Sequence, residues 1–149
     1  ERVLGYIDQG KNEGARITTG GGRPDQAHGF FVEPTVFADV TNDMAIAREE
    51  IFGPVLSVLS YDSVDEAVSI ANDSPFGLSG SVWSADGDAA ADIARQMQTG
   101  TVTVNHFGMA FGAPFGGYKD SGLGRELGPE GVEAYMQKKS ISLSPNPAG

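Results

Sequence analysis

Two adjacent carboxylates, Glu49 and Glu50, stand immediately before Ile51-Phe52-Gly53-Pro54. Neighbouring residues send their side chains in different directions, so the pair makes a poor acid–base dyad. Glu50 falls where a short helical stretch ends and an apolar run begins, and ligands of parallel α/β folds bind near strand ends. A carboxylate in that place can accept hydrogen bonds from two vicinal sugar hydroxyls. Phe52 beside it offers a flat apolar face to a planar ring. The same two residues also read as a solvated helix-end carboxylate and a core phenylalanine. A second candidate is the glycine-rich segment from Pro114 to Glu126. Its Lys119 is a nucleophile or Schiff-base lysine only if desolvated, and structural turns with an Arg125-Glu126 ion pair are the plainer reading.

The remaining inventory is thin. There is no cysteine, hence no thiolate nucleophile, disulfide framework or thiolate zinc site in this chain. No Gly-x-Ser-x-Gly elbow is present. His28 and His106 lie far apart without ligand spacing, so no metal site is expected, and His28 reads as a solvated loop residue. Gly20-Gly21-Gly22 invites a phosphate-loop reading but lacks the Lys-Ser/Thr and the following helix that such a loop needs. It reads as a surface turn.

These residues must be positioned by a chain of 149 residues, about one domain by length, with 40% hydrophobic residues and a net charge of -10. The acidic balance disfavours nucleic acid and anionic membrane surfaces as partners. No apolar run approaches the roughly 18 residues that span a membrane, and the start has no signal-peptide pattern, so a cytoplasmic location is expected. The chain opens on Glu1 and passes directly into a helix-like stripe of Val3, Leu4 and Ile7, which reads as a piece of a longer protein or a trimmed terminus.

The patterning predicts a helix over about 2–14 closed by Gly14, a short strand over 15–18, an edge strand over 30–37 demoted by Pro34, and a short helix over 42–49. Residues 55–61 form a nearly continuous apolar run and are expected as a buried strand. Ser63-Val64-Asp65-Glu66 is a capping box for a helix to about 72. A strand over 78–83, an alanine-rich helix over 86–98 and a strand over 101–105 follow. This alternation implies βαβ crossovers and a parallel sheet, an α/β fold. Residues 106–127 lose periodicity and read as a packed functional loop carrying Phe107, Phe111, Phe115 and Tyr118. Pro129 begins a helix to about 136, residues 138–144 alternate as a last strand, and the tail 145–149 should be loose. No internal repeat or interdomain linker is evident.

Several stretches in order resemble the NAD(P)-dependent aldehyde dehydrogenase superfamily over essentially the whole chain. Ala47-Arg48-Glu49-Glu50-Ile51-Phe52-Gly53-Pro54-Val55 resembles its ribose-binding motif, and 100–105 the strand before its substrate-tunnel loop. Pro114-Phe115-Gly116-Gly117-Tyr118-Lys119 through Glu126 is similar to its C-terminal glycine-rich signature. Ala71-Asn72-Asp73-Ser74-Pro75-Phe76-Gly77-Leu78 fits the connection between them. Val3-Leu4-Gly5-Tyr6-Ile7, the triple glycine and 31–36 also fall in the family's order.

The resemblance implies that residues 1–137 are the C-terminal part of the family's catalytic domain and 138–149 an oligomerisation strand and tail. It implies a parent enzyme that oxidises an aldehyde to a carboxylic acid with NAD or NADP through a cysteine thioester. The cysteine and general-base glutamate lie upstream of the point matched by Glu1, so no catalytic residue is expected in this chain. Glu50 would bind the nicotinamide ribose and Phe52 would pack near the nicotinamide. Phe107, Phe111 and Phe115 would line the aldehyde tunnel, which favours an apolar or aromatic aldehyde because no arginine lies between His106 and Tyr118. Asn105 and Arg125-Glu126 read as structural. The partners implied are the aldehyde and further copies of the full-length chain in a dimer or tetramer. The runner-up is a stand-alone noncatalytic module with the same fold, acting in structure or subunit association. A relative acting on acyl phosphates is weakened by the Glu-Ile-Phe-Gly-Pro match.

Overall fold

A computed structural model of the chain describes residues 1–25 and 28–143. It divides into two compact units, Glu1–Pro75 and Phe76–Gly149, a division that no linker composition announced.

In the first unit helix α1 (Arg2–Asn12) is followed by strands β1 (Arg16–Thr19) and β2 (Thr35–Ala38), the short helix α2 (Ala45–Arg48), strand β3 (Val55–Ser57) and helix α3 (Val64–Asn72). The sheet runs in the order β1-β2-β3. β1 is antiparallel to β2, and β2 is parallel to β3 with Thr35 opposite Val55. Alternation along β2 sends Thr35 and Phe37 inward, and Phe37 is fully buried with Ile7, Val40, Ile46 and Ile51. This is the core on which α1 and α2 rest. Thr35 is a buried polar residue without cost, because its hydroxyl accepts from the Gly21 N–H at 2.9 Å and donates to the Glu33 carbonyl at 2.8 Å. The triple glycine is thus occupied by its own chain. Gly20 sits at φ 69°, where a Cβ would lie 2.2 Å from the Pro34 carbonyl oxygen, so both the left-handed turn and the close approach require glycine.

The capping expected at Ser63 is present. Its side chain accepts from the Glu66 N–H at 3.2 Å, and the Glu66 carboxylate accepts from the Asp62 N–H at 2.7 Å. The strand expected over 55–61 is shorter and less buried than its apolar run implied, with Leu56, Val58 and Tyr61 exposed. β3 stands at the edge of its sheet, and its middle residue Leu56 points outward. Similarly, the stretch 30–34 lies outside the sheet and pairing begins only at Thr35, after Pro34.

In the second unit strands β4 (Phe76–Gly77) and β5 (Ser79–Val82), helix α4 (Gly87–Gln96), strands β6 (Thr101–Val104) and β7 (Tyr118–Lys119), and helix α5 (Gly128–Glu133) follow in order. β5-α4-β6 is the expected βαβ unit, with β5 and β6 parallel from Ser79↔Thr101 to Val82↔Val104. The Asp86 carboxylate caps α4 by accepting from the Asp88 and Ala89 N–H groups at 3.1 and 3.0 Å. Fully buried Ala90 lets α4 lie close on the two strands. β4 pairs with β7 antiparallel. The fold is therefore α/β with parallel pairs, but among the described residues its strands are shared among three small sheets instead of one. Strand periodicity announces a strand and leaves its partner open, which is why a single sheet was expected.

The loop 106–127 is more ordered than its lost periodicity implied. Phe115 and Glu126 exchange both backbone hydrogen bonds at 2.7 Å, and β7 forms between them. Gly100 permits this packing, since a Cβ there would lie 1.6 Å from the Gly116 carbonyl oxygen. α5 ends three residues earlier than expected. Residues 138–143 form no strand pairing among the described residues, though Lys138 donates to Glu133 Oε2 at 3.0 Å, and Ile141 and Leu143 are exposed. A strand has no hydrogen-bonding drive without a neighbouring edge. Ser144 and the tail 145–149 lie outside the described residues.

Candidate functional site

The Glu49–Pro54 segment is held at almost every residue. α2 stops at Arg48, whose guanidinium donates to the Asn42 and Asp73 carbonyls and to the Asp73 carboxylate at 3.1–3.3 Å. The chain then runs extended through Glu49. The Tyr6 hydroxyl donates to Glu49 Oε2 at 2.6 Å, and Arg2 donates to the Glu50 carbonyl at 2.6 Å while lying over the Tyr6 ring. The Glu49 carboxylate beside the Tyr6 phenol raises its pKa above the ordinary value, chiefly through this hydrogen bond. Ile51 is buried in the core, Gly53 packs on Val3, and the Pro54 carbonyl accepts from Thr35 N–H at 2.8 Å.

This tethering sorts the two carboxylates. Glu49 is engaged by α1, while the Glu50 side chain is exposed and has no hydrogen bond or ion pair among the described residues. Burial of Ile51 sends Phe52 outward, where it is 82% exposed and carries φ 51°. The reading of Phe52 as a core residue is overturned. Left-handed backbone is unfavourable for a bulky side chain, and such strain persists only where the surroundings over-determine it. The fastenings on both sides of Phe52 provide that. Nothing in the sequence signalled the positive φ, or that Arg2 and Tyr6 from α1 hold the segment.

In the second unit a cavity of about 480 Å³ opens between the β5–β6 pair and the loop beyond β6. Ser79, Gly80, Ser81, Thr101 and Thr103 form its strand wall. Phe107 to Ala110 and Ala113 to Phe115 form its loop wall. No charged side chain lines it. Of the three candidate aromatics, the structure brings Phe107 and Phe115 to this cavity, and leaves Phe111, 75% exposed, outside its lining. Phe115 also borders a larger cavity of about 900 Å³ walled by the 116–128 glycines, Arg125 and Tyr135. Lys119 is exposed at φ 52°, so it lacks the desolvation a Schiff-base lysine needs. Arg125 donates to the carbonyls of Gly117 and Gly124 at 3.0 and 2.7 Å and lies over the Tyr118 ring. Asn105, which the sequence marks only as structural, stands at φ 56° where β6 gives way to the loop. An asparagine closing a strand of β-branched residues was the available signal.

Among the described residues no helix is long and apolar enough to cross a membrane. The aldehyde dehydrogenase family model matches residues 1–141. A geranial dehydrogenase of Castellaniella defragrans is 58% identical over 143 residues, covering 96% of this chain and 30% of the relative. A betaine aldehyde dehydrogenase of Rhizobium leguminosarum is 47% identical, covering 99% of this chain and 31% of the relative. Among solved structures, a Mycobacterium tuberculosis aldehyde dehydrogenase complexed with NAD+ superposes with a TM-score of 0.94 at 54% identity, over 99% of this chain and 31% of that one. The chain thus spans about 30% of the length of the relatives it matches. With a family model matched over nearly its full length and parallel-paired α/β architecture shared with solved members, the chain belongs to the aldehyde dehydrogenase family.

Proposed function

We propose that the chain works as part of an enzyme that oxidises an aldehyde to a carboxylic acid with NAD(P)+, supplying a cofactor-facing segment, Glu50 to Phe52, and an aldehyde-facing cavity bounded by Phe107 and Phe115. The observation that carries this is the Glu50–Phe52 arrangement: an exposed carboxylate without a partner among the described residues and an outward aromatic ring on a strained, tightly tethered backbone. Those groups suit a nicotinamide riboside, because the carboxylate can accept from two vicinal hydroxyls and the ring can lie against a planar heterocycle. A nicotinamide held there would supply the hydride acceptor. The chain's own part is to hold it in register. Arg2, Tyr6 and buried Ile51 limit the motion of Glu50 and Phe52, and small misplacements in hydride-transfer geometry are costly in rate. NAD is favoured by the NAD+ complexes among the similar structures. The chain has no cysteine, so the attacking thiolate that the family resemblance implies has to come from residues outside it, and the chain by itself is inactive.

The uncharged cavity favours an apolar aldehyde. Geranial, which names one relative, is of that kind.

The test is Glu50→Gln in the full-length enzyme, with NADH formation and ester hydrolysis measured separately. A charge-assisted hydrogen bond contributes roughly 1.5–3 kcal/mol, so NADH formation should fall about ten- to hundred-fold. Ester hydrolysis, which needs the thiolate but no hydride transfer, should persist. Equal loss of both, or loss of neither, refutes the cofactor role.

A further inference from the structure

The parallel ladder of β5 and β6 does not end where the backbone of β6 turns away. Asn105 N–H donates to the Val82 carbonyl at 2.9 Å, as the next residue of a parallel strand should. In a continuing ladder the Asn105 carbonyl would then accept from Ser84 N–H. Instead, the φ of 56° turns the backbone aside, and the side chain takes its place. Asn105 Oδ1 accepts from Ser84 N–H at 2.8 Å, and Nδ2 donates to the Ser84 carbonyl at 2.8 Å. The amide thus stands in for a peptide group, extending the ladder while the backbone enters the loop. Asparagine combines this amide with tolerance of left-handed backbone. Two residues later Phe107 begins the loop wall of the cavity whose other wall is β5 and β6.

We propose that Asn105 is a positioning residue for substrate selection: its side-chain amide fixes where the loop leaves the sheet, and so sets the spacing between the loop wall and the strand wall that admits the aldehyde chain. This rests on the aldehyde reading above. It acts through the placement of Phe107 to Ala110, without touching the reacting atoms.

The test uses the full-length enzyme with Asn105→Gly and Asn105→Asp. Glycine keeps the backbone turn and deletes the amide. Aspartate keeps the acceptor for Ser84 N–H and deletes the donor to its carbonyl. Two quantities are measured: hydrogen exchange at the Ser84 amide, and kcat/KM for decanal against acetaldehyde. In Asn105→Gly the Ser84 amide should lose protection, and the decanal/acetaldehyde ratio should shift about tenfold, the scale of a changed apolar pocket contact. Asn105→Asp should retain the Ser84 protection and show a smaller shift of the ratio. An unchanged Ser84 amide in Asn105→Gly overturns the ladder. Equal losses for both aldehydes in either variant overturn the selection role and leave Asn105 a folding residue. If the unmodified enzyme oxidises no aldehyde, the functional reading fails and the selection role with it, while the Ser84 exchange still judges the ladder by itself.

Discussion

Replacing Phe52 by glycine and by alanine in parallel separates what its backbone costs from what its ring contributes. Both variants lose the ring, and with 82% of Phe52 exposed that loss is small for stability and identical in the two. They differ at the backbone. At φ 51° an L-residue bears about 1–2 kcal/mol of left-handed strain, which glycine escapes. Glycine loses about 0.5–1 kcal/mol more chain entropy on folding than alanine. With both terms at the middle of their ranges, Phe52→Gly is more stable than Phe52→Ala by about 0.75 kcal/mol. With a urea m-value of about 2 kcal/mol/M for a small protein, the glycine variant should unfold about 0.3–0.5 M later. At an ordinary negative φ the order would be reversed, so the sign alone is diagnostic. In the full-length enzyme both variants should raise the KM for NAD+ to the same extent, because the ring is gone from both. An alanine variant as stable as the glycine one would refute the left-handed backbone, and an unchanged KM in both would remove Phe52 from the cofactor site.

Two glycines of α1 should respond to alanine with opposite signs: Gly5 has open space where a Cβ would go, so Gly5→Ala should stabilise by about 0.5–1 kcal/mol, whereas at Gly10 the Cβ would lie 2.9 Å from Ile46 Cδ1 and 3.1 Å from Phe37 Cζ, and overpacking of about 1–3 kcal/mol should outweigh the helix gain. Urea midpoints of both variants check this. One of the four tyrosines should ionise late in an ultraviolet titration, and Tyr6→Phe should abolish that late phase. The folded Tyr6 pKa is raised by Glu49 above 10.0, so the stability from this pair is complete below that value and is lost as the pH rises through the folded pKa. Deleting residues 138–149 should lower the mass of the assembled enzyme in light scattering, because Ile141 and Leu143 are exposed on a segment without a strand partner. An unchanged mass would refute its role in subunit pairing.

What the sequence determined by itself is what local chemistry determines. Ser63 with Glu66 marks α3 because a cap acts within one turn of its helix, and the alanine run marks α4. The alternation of strand and helix patterns marked an α/β fold, and the Glu-Ile-Phe-Gly-Pro run marked the family resemblance that makes Glu50 and Phe52 candidates for the cofactor. Pairing was not legible, because a strand's period says which face is apolar and leaves its neighbour open. Hence β3 reads as a buried strand in sequence and lies at a sheet edge with Leu56 exposed in the fold. Phe52 shows the same limit at one residue. Its type suits a core, and only the burial of Ile51, the Arg2 and Tyr6 fastenings and the seat of Gly53 on Val3 turn it outward in left-handed backbone. Asn105 depends on Ser84, 21 positions away, and the exit of the cavity loop was decided by that tertiary contact, since a side-chain amide can replace a peptide group only where another strand has already been brought alongside.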